Sequence, residues 1–335
     1  MRIIAVANQK GGCGKTTTAI NLAYSLSIRN QRVLLIDCDP QAHATMGLKR
    51  KSSELEGTMY DVLSPHKDEH AGLDTIAIAI HERLSLAPSS VILSAVEQEL
   101  AGMDGREDRL LEAIAALKTP YDFLIIDCPP SIGLLCFNAL RVSQEVIIPI
   151  DMSLFSLRGV AKLIEIIMLL KDKLGHDIVS RALVTMFDNR TKYSRRVLEK
   201  VTEEFGENVF NTIVRYNIRL RETVDYGLPV GMYDKRSNGH CDYERLAEEV
   251  LHARAKGKDA DGATAALSHD MLQRAENYID TVMQDPEADD QPATDTDECF
   301  PAGIKSSYPE MVQAMEFGSG DGLAESDAEL DEYQE

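Results

Sequence analysis

The chain has 335 residues, 44% of them apolar, enough for a sizeable core in one large or two small domains. No apolar run approaches the ~18 residues of a membrane span, the chain opens directly on a strand-like run with no signal peptide, and six scattered cysteines without Cys-x-x-Cys spacing point to reduced thiols in a cytoplasm. The formal charge of −20 is unevenly placed: residues 257–335 hold 3 basic and 21 acidic side chains, leaving a net charge of only −2 on residues 1–256, which can still carry a basic face.

In chain order, Ile3-Ile4-Ala5-Val6-Ala7 predicts a buried strand, and Ala19, Ile20, Leu22, Ala23 and Leu26 recur at helical spacing. Between them runs Asn8-Gln9-Lys10-Gly11-Gly12-Cys13-Gly14-Lys15-Thr16-Thr17-Thr18. A glycine-rich turn from a strand end into a helix start is a phosphate loop. Gly11, Gly12 and Gly14 let backbone N–H groups point inward, and the helix N-terminus adds partial positive charge. With Cys13, Lys15, Thr16 and Thr17 they form the candidate nucleotide-binding set; Lys15 would reach the β- and γ-phosphates and the Thr16 hydroxyl would hold Mg²⁺.

Arg32–Asp37 reads as a second buried strand running into Asp37-Cys38-Asp39-Pro40-Gln41, where carboxylates enter the ligand crevice of an α/β sheet. Residues 42–74 suggest a switch-like loop with helical hints at 58–63. Residues 75–80 and 84–87 suggest short strands, and 91–100 and 106–117 helices. Tyr121–Asp127 is a strand of Walker B pattern whose Asp127 would hold Mg²⁺ through water. Cys128-Pro129-Pro130-Ser131 follows. Strands at 145–150 and 178–186 flank a long amphipathic helix over 154–170, and a helix over 243–255 closes the domain. This alternation predicts an α/β fold, a mostly parallel sheet with helices on both faces.

From Arg181 to Arg221 nine basic residues face five acidic ones. This is either a nucleic-acid surface or a solvated helix face with pocket arginines. Beyond 256, residues 257–284 suggest a helical extension and 285–335 an acidic, disordered tail. That tail is either a solubilising segment or a nucleic-acid mimic competing for the basic face. Cys13, Cys38 and Cys128 sit inside the site motifs and read as small buried residues rather than redox sensors.

The extra lysine at the head of the loop, in Lys10-Gly11-Gly12-Cys13-Gly14-Lys15-Thr16, resembles the deviant Walker A loop of the ParA/MinD family of dimeric ATPases. Asp37-Cys38-Asp39-Pro40-Gln41 and Asp127-Cys128-Pro129-Pro130-Ser131 resemble the ParA/Soj branch in particular, and the likeness spans residues 1–256. The resemblance implies a P-loop ATPase using ATP and Mg²⁺. In it Lys10 crosses to the partner's nucleotide, Asp39 aligns the attacking water, and Asp37 supports the Mg²⁺ shell. It also implies a homodimer formed on ATP binding, DNA bound without sequence preference, a ParB-like activator, no membrane partner, and nucleoid association in the ATP-bound form. Candidate DNA contacts are Arg195, Arg196, Arg215 and Arg219, the last in Tyr216-Asn217-Ile218-Arg219-Leu220, which resembles the family's Arg-Asn-Val-Arg-Leu. Such an ATPase partitions chromosomes or plasmids. Alternatives are an ATPase that positions chemoreceptors or flagella, and a metabolic ATP-dependent enzyme on the same fold. The chain departs from the family at Arg221-Glu222-Thr223-Val224-Asp225, where Ser-Glu-Ala-Pro-Ser is usual.

Overall fold

A computed structural model describes residues 1–256 apart from 52–53, 67–70 and 154. The readings made for Leu154 and for 257–335 lie outside the described residues. Strands β1 (Arg2–Val6), β2 (Val33–Asp37), β3 (Ile78–His81), β4 (Leu84–Ala87), β5 (Phe123–Asp127), β6 (Glu145–Ile150) and β7 (Val179–Val184) form one seven-stranded sheet in the order β3-β4-β2-β5-β1-β6-β7. Every pairing is parallel except β3 with β4. Parallel strands need long crossovers. Helices supply them: α1 (Lys15–Ile28), α2 (His43–Gly47), α3 (Met59–Leu63), α4 (Leu73–Ile76), α5 (Ala95–Glu99), α6 (Arg109–Ala115), α7 (Leu134–Val142) and α8 (Phe155–Leu174) lie between strands, and α9 (Lys192–Phe205), α10 (Ile218–Tyr226), α11 (Val230–Tyr233) and α12 (Asn238–Lys256) follow the last one.

β1, β2 and β5 are buried along their whole length, which is why they read as unbroken apolar runs. Their register brings Val6, Asp37 and Asp127 level at the C-terminal edge, where an α/β sheet places its ligand. The last helix packs on the first. Leu22, Leu26, Leu246 and Val250 are fully buried there, each worth about 1.5–3 kcal/mol of apolar transfer. The Tyr243 hydroxyl meets Thr18 Oγ1 at 3.2 Å.

Two expectations need correction. The strand expected over 75–80 begins later. Leu73 and Ile76, three apart and both buried, form the helical turn α4, and pairing starts only at Ile78. The helix expected over 91–100 starts as a 3₁₀ turn, Val91–Ser94, with Val91 and Ile92 exposed, before α5. Helix α7 went without an expectation: six of its nine residues are buried and none is exposed, so it has no wholly solvated face. Thr58 does begin a helix over 59–63, through a capping box with Asp61.

Candidate nucleotide site

The phosphate loop needs two left-handed turns, at Gly12 (φ 76°) and Gly14 (φ 91°), which a side chain would strain. Its head and its end are both tethered. Asn8 Nδ2 donates to the Pro149 carbonyl at 2.7 Å, Asn8 Oδ1 accepts from Lys10 N at 3.1 Å, and Thr185 Oγ1 donates to the Cys13 carbonyl at 2.8 Å. Lys15 opens α1 and is buried; its Nζ folds back onto the Lys10 carbonyl at 2.9 Å. Lys10 points the other way. Its ammonium holds Asp151, with Oδ1 at 2.7 Å, and Ser153 Oγ. The two lysines of one loop thus have separate occupations.

The carboxylates meet across the strand ends. Asp37 is fully buried. Its Oδ2 accepts from Thr45 N at 2.8 Å and Thr45 Oγ1 at 2.7 Å, and its Oδ1 from Asp39 N at 3.2 Å. Burial pushes its carboxyl up to about 6, the Thr45 and Asp39 hydrogen bonds hold it down, and the Asp39 charge adds a smaller push upward. Asp127 is equally buried, yet neither oxygen has a hydrogen-bond partner among the described residues. Burial first and Asp37 second drive it well above the carboxylate range, with Thr16 and Lys15 opposing. Two buried carboxylates side by side, one of them orphaned, call for a cation. Among the described residues no three His, Cys, Asp or Glu side chains form a cage for it. That suits Mg²⁺, which keeps waters and takes one or two carboxylates plus phosphate oxygens. Thr16, Asp37 and Asp127 fit as its protein side. Asp39 caps its own turn, accepting from Gln41 N at 2.9 Å through Oδ1.

A cavity of about 70 Å³ opens next to the loop, lined by Gly14, Thr17, Thr185, Tyr216, Arg221 and Tyr243 among others. Arg215 also lines it. It is half-buried, and its guanidinium pairs with Asp242, with Nη2 2.6 Å from Oδ1. Arg195 is exposed and donates to the Asn189 carbonyl at 3.0 Å, while Arg196 is half-buried on the same helix. Arg219 is exposed and pairs with Glu222 at 2.8 Å. A parallel backbone bridge joins Phe187, just after β7, to Arg215, a few residues before α10.

Cys13, Cys38 and Cys128 are buried. Burial raises the first two thiols, and for Cys128 the neighbouring Cys136 raises it still more than burial does, so all three are unreactive packing residues. Sequence reading missed Asn8, Thr45, Ser89, Asp151, Thr185 and Asp242. Only Asp151 carried a usable signal, a carboxylate directly after a buried strand, Ile150-Asp151.

A family model described as an AAA domain matches residues 1–180. The sporulation initiation inhibitor protein Soj of Bacillus subtilis is 41% identical over 250 residues, 74% of this chain and 98% of Soj. The chromosome partitioning protein ParA of Myxococcus xanthus is 41% identical over 251 residues, 75% of this chain and 88% of ParA. Among solved structures, cobyrinic acid a,c-diamide synthase of Mycobacterium smegmatis with bound ADP and magnesium superposes with a TM-score of 0.67 at 30% identity, covering 77% of this chain and 96% of that one. With its two-lysine phosphate loop, paired strand-end aspartates and this kinship over three quarters of its length, the chain belongs to the ParA/Soj branch of the ParA/MinD-type ATPases, which act on ATP with Mg²⁺.

Proposed function

We propose that the protein is an ATP-dependent switch that pairs two copies, binds DNA without sequence preference while ATP is held, and lets go on hydrolysis, so as to partition a chromosome or plasmid. The observation that carries this reading is Lys10. A second lysine in a phosphate loop has no work to do on its own subunit's phosphates, and here it is parked on Asp151 and Ser153 at the rim. Leaving that pair would let it reach a nucleotide held by a second copy.

On this reading the loop N–H groups take the phosphates, and Lys15 leaves the Lys10 carbonyl to balance charge on the transferred group. Mg²⁺, when bound, would supply charge neutralisation and orientation of the phosphates. Asp39 would orient the attacking water. The nucleoside would enter from the cavity that opens beside Gly14 and Thr17, with Arg215, paired to Asp242, at its wall. Arg195, Arg196 and Arg219, with Lys192, supply cations for phosphates of a second polymer, DNA. A ParB-like activator would set the pace of hydrolysis. Residues 1–256 would be the working ATPase domain, and 257–284 and 285–335 additions to it.

The test is DNA retention by wild type and Asp39→Ala, with ATP and with ADP, over a salt series. ATP-dependent, salt-steep binding that persists in Asp39→Ala supports the reading. ATP-dependent pairing without DNA binding would move the cargo to a protein assembly, as in a chemoreceptor- or flagellum-positioning ATPase. The likeness to a diamide synthase favours one further reading, an amide-forming enzyme; release of ADP that requires a carboxylic acid and an ammonia donor would select it.

A further inference from the structure

The phosphate loop and the strand-end aspartates are local motifs. The residues that tie the two aspartates to each other are not. Thr45 lies in α2 and Ser89 lies just after β4, and both are fully buried. Thr45 N and Thr45 Oγ1 both donate to Asp37 Oδ2. Ser89 N donates to Thr45 Oγ1 at 2.9 Å, and Ser89 Oγ donates to the Asp39 carbonyl at 2.8 Å.

The polarity of this relay is set. A backbone N–H can only donate, so Ser89 N occupies a lone pair of the Thr45 hydroxyl and leaves its one proton for Asp37. One oxygen of Asp37 is thereby held by two donors, while its paired neighbour Asp127 on β5 has no such anchor. At the other end Ser89 Oγ grips the backbone of Asp39, whose side chain is turned back onto Gln41 N.

We propose that Thr45 and Ser89 are positioning residues for ATP hydrolysis. Thr45 aims Asp37 at the Mg²⁺ shell, and Ser89 holds the Asp39 turn at a fixed offset from it, so that the metal-side and water-side carboxylates move as one unit. The proposal rests on the assignment of Asp37 to the metal and Asp39 to the water. Residues that orient a site's ligands commonly cost 10–100-fold in metal affinity or activity when removed.

The two hydroxyls act at different ends, so their loss has different signatures. Three variants separate them: Thr45→Val, Thr45→Ser and Ser89→Ala. Three readouts are taken on the full chain: binding of a fluorescent ATP analogue without Mg²⁺, the Mg²⁺ concentration giving half of the Mg²⁺-dependent fluorescence change, and the single-turnover hydrolysis rate. Thr45→Val is expected to leave Mg²⁺-free nucleotide affinity within about twofold while raising the half-saturating Mg²⁺ and lowering the rate by roughly 10-fold or more. Thr45→Ser, which restores the hydroxyl, should return both. Ser89→Ala should lower the rate by a similar factor with the Mg²⁺ midpoint unchanged, because Asp37 keeps both of its Thr45 bonds.

Equal loss of nucleotide affinity, Mg²⁺ response and melting temperature in Thr45→Val and Ser89→Ala would mean that the network only braces the fold, and would overturn the proposal. Wild-type rates and midpoints in both variants would overturn it as well. Should Thr45→Val not fold, Ser89→Ala, which removes a single oxygen, decides alone. A wild type without Mg²⁺-dependent hydrolysis would instead bring down the site assignment, and the proposal with it.

Discussion

Asp127 should make the ligand-free protein less stable than it could be, and Asp127→Asn should reveal by how much. The perturbation removes a charge and changes little in shape. Its scale comes from the neighbour. Raising the Asp37 carboxyl from 3.8 to about 6 corresponds to about 3 kcal/mol against the ionised form. Asp127 is as deeply buried and is driven further up, with Thr16 and Lys15 opposing less than the three hydrogen bonds on Asp37 do, so its own penalty is no smaller. The amide still has polar ends to satisfy, which returns about 1 kcal/mol. The net gain for Asp127→Asn without nucleotide or Mg²⁺ is about 2 kcal/mol, or roughly 4–8 °C in melting temperature for a domain of this size.

The pH dependence has a definite sign. A carboxyl whose folded-state pKa lies above its unfolded value holds its proton more tightly in the fold. Wild-type stability is therefore least affected below about pH 4 and falls as pH rises through the folded-state value, about 6 for Asp37 and higher for Asp127. The gap between Asp127→Asn and wild type should be small near pH 4 and largest at pH 8. Calorimetry in EDTA across that range measures it. A variant that melts at or below wild type at pH 8, or a gap that ignores pH, would refute the reasoning. Adding ATP and Mg²⁺ should reverse the order, since only wild type gains the full ligand linkage.

Lys10→Ala leaves the loop and Lys15 in place, so nucleotide affinity in a fluorescence titration should stay within about twofold while hydrolysis falls roughly 10-fold or more. Retention of full hydrolysis at low protein concentration would show that Lys10 serves no second subunit. Asp242→Ala strips the Arg215 guanidinium and backbone N–H of their shared acceptor at a position 1% exposed; equilibrium urea unfolding should show a loss of about 3–5 kcal/mol, and a loss below 1 kcal/mol would mean that the pair is solvated.

What could be read from the chain followed the range of the interaction. The phosphate loop, Asp37, Asp39 and Asp127 were legible because each motif lies within a few residues of a strand end, and buried parallel strands announce themselves as apolar runs. Ser89 and Thr185 were not, because their hydrogen bonds span large separations, 44 residues from Ser89 to Thr45 and 172 between Cys13 and Thr185; Thr45, only eight residues from Asp37, sits in a short helix that no motif marks. The pairing of Arg215 was hidden by separation as well: charge counting registers an arginine but not Asp242, which meets it from α12. Helix α7 hid because periodicity needs a wet face, and α9 was readable from Ser194, Val197, Leu198, Val201 and Phe205 had charge not drawn attention away from spacing.

The packing of the last helix on the first has a consequence for how the protein comes into being. β1 waits for β5 and β6, which begin at residues 123 and 145, and α1 waits for α12, which begins at residue 238. At about 5–20 residues per second, synthesis leaves β1 without its neighbours for on the order of ten seconds. Closures of this span are entropically slow. During that interval the nascent chain exposes the apolar run over residues 3–6, which is buried in the finished sheet. The newborn chain is therefore a natural client of chaperones on the ribosome.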